Sequence, residues 1–290
     1  SFSQSSTPTY NGVERTFKLD ISGIFPVDDP TSATATVTTK NVPTAALSVT
    51  TTNINTDNYN VPTTFSFTMN KAQISFTQDS VPTYNASEQT ITLTIVGLQG
   101  NDTGSATVKK TNAGEEIVSV THTIDTNNYI VPSTFTVSMD KADVSFSQSS
   151  TPTYNGVERT FELDISGIFP VDDPTSATAT VTTKNVPTAA LSVTTTNINT
   201  DNYNVPTTFS FTMNKAQISF TQDSVPTYNA SEQTITLTIV GLQGNDTGSA
   251  TVKKTNAGEE IVSVTHTIDT NNYIVPSTFT VSMDKADVSF

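Results

Sequence analysis

The chain has 290 residues, of which 27 are acidic and 13 are basic, so its formal net charge is −14 at pH 7. Nucleic acids and anionic membrane surfaces both attract clustered Lys and Arg, and the only adjacent basic pair is Lys109-Lys110 with its repeat, so both are excluded as partners. The lack of cysteine excludes disulfides and thiolate chemistry, and the lack of an apolar run of about 20 residues predicts no membrane insertion.

Internal repetition divides the sequence into four segments. Residues 1–146 recur as residues 145–290 with one difference, Lys18 against Glu162. A weaker repeat within this unit aligns residues 1–11 with residues 75–85. We therefore predict an A-B-A-B array: module A at 1–73, module B at 74–143, a module A copy at 144–217 and a module B copy at 218–290. Because Ser289 and Phe290 begin another copy, we expect the chain to be a piece of a longer array.

Alternation of apolar and polar residues predicts the strands of module A. In chain order, the alternating runs lie at residues 16–21, 34–38, 46–49 and 64–69, and threonine occupies much of the polar face. Threonine is β-branched, fits a pleated sheet and tolerates water on its exposed side. The apolar residues of these runs are Phe17, Leu19, Ile21, Ala35, Val37, Leu47, Val49, Phe65, Phe67 and Met69.

Module B repeats this pattern, and turn residues separate its runs at intervals near ten residues. No segment has a sustained helical period. The prediction is an all-β fold of four tandem small immunoglobulin-like β-sandwich modules, end to end. The residues expected to face inward in module B are Ile91, Leu93, Ile95, Ile117, Val118, Val120, Phe135, Val137 and Met139.

The junctions between predicted modules are short. Only residues 70–72 separate the strand that ends at Met69 from the one that begins near Gln73. So short a link leaves neighbouring modules little rotational freedom, unlike a flexible linker. We expect neighbouring repeats of the chain to be one another's partners. At roughly 3.3 Å per strand residue, four modules in line would form a rod on the order of 120–160 Å.

Recurring motifs suggest a family. Tyr10-Asn11-Gly12 follows the first strand, a strand ends at Gly23, and Asn58-Tyr59 precedes the last strand. This pattern resembles the tandem MBG- and YDG-type repeats, or bacterial Ig-like repeats, of bacterial surface adhesins. The resemblance implies a spacer or stalk role, an extracellular cell-surface or cell-wall location, and ligand recognition by another domain. It also implies β-grasp-like modules, which contain a helix; this remains the alternative to the sandwich.

Candidate chemistry is sparse. His122 and its repeat His266 are predicted to lie on the solvent side of a strand, with no nucleophile or second ligand nearby. Asp28-Asp29 and its repeat supply only part of the six to eight oxygens that calcium requires. We interpret this pair as a polar turn and keep calcium as the one alternative cofactor. No catalytic, cofactor-binding or metal site is predicted.

Lysines and tyrosines offer two further alternatives. Lys18 could form an isopeptide bond, but its repeat is Glu162, so we predict an exposed lysine; Lys71 and Lys141 are interpreted as solvated junction residues. Tyr59 and Tyr129 could stack on a sugar ring. The preferred interpretation is a corner tyrosine with a buried ring and a hydroxyl bonded to the backbone.

Two functional hypotheses follow from these patterns. The first is a structural stalk that projects a distal binding domain from a bacterial surface. The second is a multivalent module that binds a host glycan or host protein weakly at each repeat and gains avidity from repetition. No nucleophile–base pair or metal cluster is evident, so the chain is not predicted to be an enzyme.

Overall fold

Short β-strands form nearly all of the regular structure in the computed structural model, which describes residues 1–28 and 30–289. Among these residues no helix reaches seven residues, and the two helices present are single 3-10 turns at Pro26–Asp28 and Pro170–Asp172. The all-β prediction is confirmed, and the helix of a β-grasp module is missing from the described residues. None of the described helices is long and apolar enough to cross a membrane. The chain divides into two compact units, residues 1–141 and 142–290.

Module A of the first unit contains one four-stranded and one two-stranded antiparallel sheet. The strands are β1 (Phe2–Ser3), β2 (Arg15–Ile21), β3 (Thr34–Thr39), β4 (Leu47–Ser48), β5 (Thr50–Thr52) and β6 (Thr64–Phe65). Their orders are β1-β2-β3-β5 and β4-β6. Phe17 lies opposite Val37 and Leu19 opposite Ala35, so large and small apolar residues share the inward face of the larger sheet.

Module B repeats this plan and adds a short parallel pair. The strand β7 (Ala72–Gln73) lies at the junction, and module B contains β8 (Ser75–Thr77), β9 (Gln89–Val96), β10 (Ala106–Lys110), β11 (Gly114–Ser119), β12 (Thr121–His122), β13 (Tyr129–Ile130) and β14 (Thr134–Met139). The antiparallel sheets have the orders β12-β10-β9-β8 and β11-β14. The parallel pair joins β7 to β13, so the segment between the modules pairs with the strand that begins at the tyrosine of the Asn-Tyr motif of module B.

The second unit repeats the architecture of the first. Its strands are β15 (Ala142–Asp143), β16 (Ser145–Ser147), β17 (Arg159–Glu162), β18 (Asp164–Ser166), β19 (Thr178–Thr183), β20 (Leu191–Ser192), β21 (Thr194–Thr196), β22 (Tyr203–Asn204), β23 (Thr208–Phe209), β24 (Ala216–Gln217), β25 (Ser219–Thr221), β26 (Gln233–Val240), β27 (Ala250–Lys254), β28 (Gly258–Ser263), β29 (Thr265–His266), β30 (Tyr273–Ile274) and β31 (Thr278–Met283). Parallel pairs join β15 to β22 and β24 to β30.

The core contains most of the residues that alternation placed inward. Leu19, Val37, Phe67, Leu93 and Val137 are all buried, and one cluster of buried residues spans both modules of the second unit. Ile117 is an exception. The prediction that it faces inward is wrong, because its side chain is 71% exposed while Val118, its neighbour on β11, is half-buried.

A glutamine side chain completes the sheet edge near the start of each module. Gln78 donates from Nε2 to the carbonyl of Ser138 and accepts the backbone N–H of the same residue, both at 2.9 Å. This bidentate contact imitates a backbone pair between the opening segment and the last strand. Gln4 makes the same two contacts with Thr68. The opening Ser-Phe-x-Gln motif therefore closes each module onto its own end.

Candidate functional site

The strongest candidate site is the contact between modules A and B inside each unit. Tyr129 lies at the centre of it. Its hydroxyl accepts the backbone N–H of Gln99 at 2.8 Å and donates to Asp102 at 2.7 Å. The Tyr129 ring is buried, so the corner-tyrosine interpretation is confirmed and the ring offers no face for stacking on a sugar. Tyr59 makes the equivalent contacts with Phe25 N–H and Asp28 in the first copy of module A.

A tyrosine from module A reaches the same carboxylate. The Tyr10 hydroxyl donates to Asp102 Oδ2 at 2.5 Å, so one oxygen accepts a phenol from each module. The rings of Tyr10 and Tyr129 meet edge to face, with centroids 5.3 Å apart. This geometry suits the aromatic quadrupole and adds to the stabilisation that comes from burial alone. The carboxylate therefore ties the two modules together.

Asn128 provides a second contact across the junction. Its side-chain oxygen accepts the backbone N–H of Val42 at 2.8 Å, and its amide donates to the side chains of Asn41 and Asp125. Asn128 is buried, and these bonds satisfy its donors and its acceptor, as a buried amide requires. Tyr10, Asp102, Asn128 and Tyr129 are called here the junction clasp.

The backbones of the two modules also approach closely beside the clasp. Gly12 adopts a φ of +78°, and a Cβ at this position would lie 2.6 Å from the backbone of Gln99 and 2.8 Å from Gly100 N. Only glycine fits such an approach without movement of the backbone. Module B has Ala86 where module A has Gly12, so only module A has a glycine at this position.

The clasp shifts the pKa values of its own members. Burial, followed by the hydrogen bond to Asp102, raises the pKa of the Tyr10 phenol well above its usual value. The Tyr10 hydroxyl lowers the pKa of the Asp102 carboxyl, with burial opposing this effect and Tyr129 adding to it. Lys40, 3.8 Å from Asp102, contributes a weaker attraction. The clasp therefore favours a neutral phenol beside an ionised carboxylate at neutral pH.

The second unit contains the same clasp. Asp246 accepts the hydroxyl of Tyr154 at 2.5 Å and that of Tyr273 at 2.7 Å. Asn272 accepts the backbone N–H of Val186 at 2.9 Å, and the two tyrosine rings are again 5.3 Å apart. The matching geometry follows from the identical sequence.

An open polar cavity adjoins each clasp. In the first unit its volume is about 360 Å³, and Lys40, Asn41, Asn101, Asp102 and Asp125 are among its lining residues. The equivalent cavity in the second unit is about 320 Å³. Both are lined mainly by amide and carboxylate groups rather than by exposed aromatic faces.

The aspartates and lysines singled out in the sequence lie away from the clasp. Asp28 accepts the Tyr59 hydroxyl at 2.5 Å from within a 3-10 turn, as the polar-turn interpretation predicts, while Asp29 lies outside the described residues. Within the described part of the chain, no group of three or more His, Cys, Asp or Glu residues could hold a metal. Lys18 is exposed, and Lys71 donates to the carbonyl of Thr126 at 2.6 Å.

The prediction for His122 is wrong. Its side chain is half-buried, and its Nδ1 atom is buried with no hydrogen-bond partner among the described residues. Thr121 and Thr123 on either side of it are exposed, so His122 points to the interior side of the strand. His266 repeats this arrangement.

Comparison of the chain with protein-family models found no match. Comparison with curated proteins found no similar sequence.

Proposed function

We propose that this chain forms structural stalk repeats of a bacterial cell-surface adhesin and acts as a spacer for a binding domain elsewhere in the protein. The observation that carries the proposal is the junction clasp, present in both units with the same partners. A spacer must resist bending at its junctions, and a buried contact that joins two phenols to one carboxylate provides such resistance. The proposal includes an extracellular location and no catalytic role.

The chemistry of the clasp suits a fixed junction better than a hinge. Separating the modules would expose two tyrosine rings and leave Asn128 without its partner at Val42. Each buried polar group that loses its partner carries a desolvation cost of roughly 1–3 kcal/mol. The backbone contact at Gly12 adds a steric restraint. Because these contacts lie side by side, a partly opened junction would lose several of them at once.

Small-angle X-ray scattering on the whole chain tests the stalk proposal. We expect a maximum dimension close to the rod length calculated from strand lengths, unchanged when calcium is replaced by chelator. Tyr10→Ala with Tyr154→Ala, which removes both clasps, should broaden the distance distribution. A compact particle for the unmodified chain would contradict the proposal, and a rod that collapses in chelator would instead favour calcium-dependent stiffening.

A second candidate is multivalent binding of a host glycan or host protein. The polar cavity beside each clasp favours it, because two equivalent recesses on one chain would supply avidity. Glycan-array binding by the whole chain should then fall when Asn101→Ala is combined with Asn245→Ala. No binding by the unmodified chain would leave the stalk proposal as the better account.

A further inference from the structure

The sequence contains two Asn-Gly dipeptides, and both lie beside a junction clasp. Asn11-Gly12 follows Tyr10 in the first unit, and Asn155-Gly156 follows Tyr154 in the second. Asparagine is a chemically labile residue in proteins. It is most labile before glycine, because a following residue without a Cβ leaves its peptide nitrogen free to approach the asparagine side chain. Module B has Asn85-Ala86 at the equivalent position, so this reactive pair belongs to module A alone.

The docked junction holds the backbone of this pair in one conformation. Gly12 is buried at a φ of +78°, against the backbone of Gln99 and Gly100 in module B. Asn11 is half-buried, and its side-chain Oδ1 accepts the N–H of Val13 at 3.4 Å. The second unit repeats this arrangement, with a φ of +80° at the glycine. The peptide unit between Asn11 and Gly12 therefore cannot turn while the two modules are in contact.

Deamidation of asparagine requires such a turn, because nucleophile and carbon must be aligned. The Gly12 peptide nitrogen loses its proton, attacks the side-chain carbon Cγ of Asn11 and forms a five-membered succinimide ring. The Cγ–Nδ2 bond breaks, and Nδ2 takes up a proton and leaves as ammonia. Water then opens the ring at either carbonyl, which gives aspartate or isoaspartate. The net reaction is hydrolysis of an amide, so water is the co-reactant and nothing is oxidised or reduced.

The isoaspartate product does not fit the docked junction. It routes the main chain through the side-chain methylene and so lengthens it by one C–C bond, about 1.5 Å. On one side, the Tyr10 N–H donates to the carbonyl of Asn70 at 2.9 Å, and its hydroxyl donates to Asp102. On the other side, Gly12 lies where not even a Cβ fits against Gln99. With both neighbours fixed, the longer main chain fits only if modules A and B separate.

We propose that Asn11 and Asn155 are modification sites that deamidate when a junction clasp opens and, as isoaspartate, keep it from closing again. The intact clasp protects Asn11, because Tyr10 and Gly12 are both held against module B. Ring closure becomes possible only while the modules are apart, so the modified fraction records how long a junction has been open. The inference concerns the chemistry of the junction and does not depend on either proposed function.

Deamidation rates in the folded and unfolded chain provide the first test. The whole chain is incubated at mildly alkaline pH with and without concentrated urea, and tryptic peptides are analysed by mass spectrometry. Cleavage after Arg15, Lys141 and Arg159 gives peptides 1–15 and 142–159, which separate Asn11 from Asn155. We expect both sites to react at least about ten-fold more slowly in the folded chain, because reaction there requires local opening. Equal rates with and without urea would overturn the inference.

A change in module B shows whether the clasp is what protects Asn11. Asp102→Ala removes the acceptor of the Tyr10 hydroxyl but leaves the sequence around Asn11 intact, so its intrinsic reactivity is unchanged. Asn155 is the control within the same molecule, since its own clasp at Asp246 remains. We expect Asn11 to react roughly ten-fold faster than Asn155 in this variant, and at the same rate in the unmodified chain.

A second variant guards against an effect of Asp102→Ala on the folding of module B. Asn128→Ala removes the contact to Val42 instead and carries the same expectation. If Asn11 and Asn155 reacted at equal rates in both variants, the clasp would give no protection and the proposal would be wrong.

Hydrogen exchange tests whether the modified junction stays open. The chain is deamidated in urea, and the fraction with isoaspartate at both sites is isolated and returned to native conditions. The N–H groups of Val42 and Val186, which bond to Asn128 and Asn272 across the junctions, should then exchange about ten-fold faster or more, while amides of β9 and β10 stay protected. Unchanged exchange at Val42 and Val186 would mean that the clasp closes around isoaspartate, contrary to the proposal.

Discussion

The two copies of module A share one sequence, except for Lys18 and Glu162, yet they differ around one tyrosine. Tyr203 is buried and pairs with Ala142–Asp143, whereas Tyr59 is half-buried and has no such strand beside it among the described residues. Their internal contacts agree, because both hydroxyls accept a backbone N–H at 3.0 Å and donate to an aspartate. The corner is therefore built by the module itself, and its cover is supplied by the preceding segment.

This difference shows that the short segments between modules take part in the fold of the module that follows. The segments at Ala72–Gln73, Ala142–Asp143 and Ala216–Gln217 each form a parallel strand with the Asn-Tyr region of the module that follows. A segment that connects two modules is thus also part of the sheet structure of the second. Within each unit, the junction at Ala72–Gln73 or Ala216–Gln217 cannot swing without breaking this strand pairing, and this restraint separates it from a flexible linker.

The largest effect should come from charging the covered junction. Val144→Asp buries a carboxylate without a partner, so we expect a loss of about 3–5 kcal/mol in the free energy of unfolding. The matched control is Val288→Asp, the same change in the same local sequence at an exposed position, which should alter stability by less than about 0.5 kcal/mol. Urea unfolding monitored by tyrosine fluorescence measures both. Equal losses in the two variants would show that burial of Val144 beside Asn204 contributes nothing to stability.

A somewhat smaller effect should follow a change at the close backbone approach. Gly12→Ala places a Cβ within 2.6 Å of Gln99 and adds strain at a positive φ, so we expect roughly 2–3 kcal/mol of destabilisation. Gly114→Ala is the control, because its φ is also positive but no atom lies within 4 Å of the added Cβ. That variant should lose only about 1 kcal/mol from strain. Thermal unfolding of the two variants separates the steric contribution from the conformational one.

Removing the Tyr10 hydroxyl from the junction clasp should lower the free energy of unfolding by less than either of these changes. Tyr10→Phe keeps the buried ring but leaves Asp102 with one phenol instead of two, so we expect a loss of about 1–2 kcal/mol. Tyr228→Phe is the matched control at a partly exposed position and should be nearly neutral. If both substitutions had the same effect, the Tyr10 hydroxyl would contribute nothing specific to the junction.

The pH dependence of stability distinguishes a lost hydroxyl from lost packing. The folded state raises the pKa of Tyr10 above the ordinary value of 10.0, first through burial and then through the bond to Asp102. Folded chains therefore keep this proton where unfolded chains release it, so its contribution is complete below about pH 10 and declines as the pH rises further. In the Tyr10→Phe variant, the free energy of unfolding should fall less steeply between neutral and strongly alkaline pH. An unchanged slope would show that the Tyr10 phenol does not titrate differently in the folded state.

Local patterns in the sequence were enough to predict the strands and the corner tyrosines. Alternation identified the core faces of β2, β9 and β14, and the Asn-Tyr motif before a strand identified the corner at Tyr129. The pairing of Tyr10 with Asp102 was missed, because 92 residues separate them and a single sequence carries no record of such contacts. One signal was available in the repeat. Tyr10 recurs in module B as Tyr84, and Asp102 recurs in module A as Asp28, although the loops of the two modules differ in length.

The errors at Ile117 and His122 have one cause. Val118, Val120, His122 and Ile124 alternate on one face through β11, β12 and the residues beside them, and all are buried or half-buried. Ile117 is out of phase with this series and His122 is in phase with it. Residue type was given more weight than phase, so an apolar residue was placed inside and an imidazole outside. The two-residue period of a strand decides which face a side chain occupies, whatever its polarity.

The smallest effect should follow replacement of His122 by threonine, the residue at the equivalent position of module A. Ala35 lies opposite Thr51 in module A, as Ala106 lies opposite His122 in module B. His122→Thr removes a buried Nδ1 that has no hydrogen-bond partner among the described residues, at the expense of some packing, so we expect a gain of about 0.5–1 kcal/mol. His266→Thr should give the same gain, and the double variant their sum, because the sites lie in separate units. A clear loss in chemical denaturation would instead mean that packing of the ring outweighs its unsatisfied nitrogen, and that the interior of module B depends on a larger side chain than that of module A.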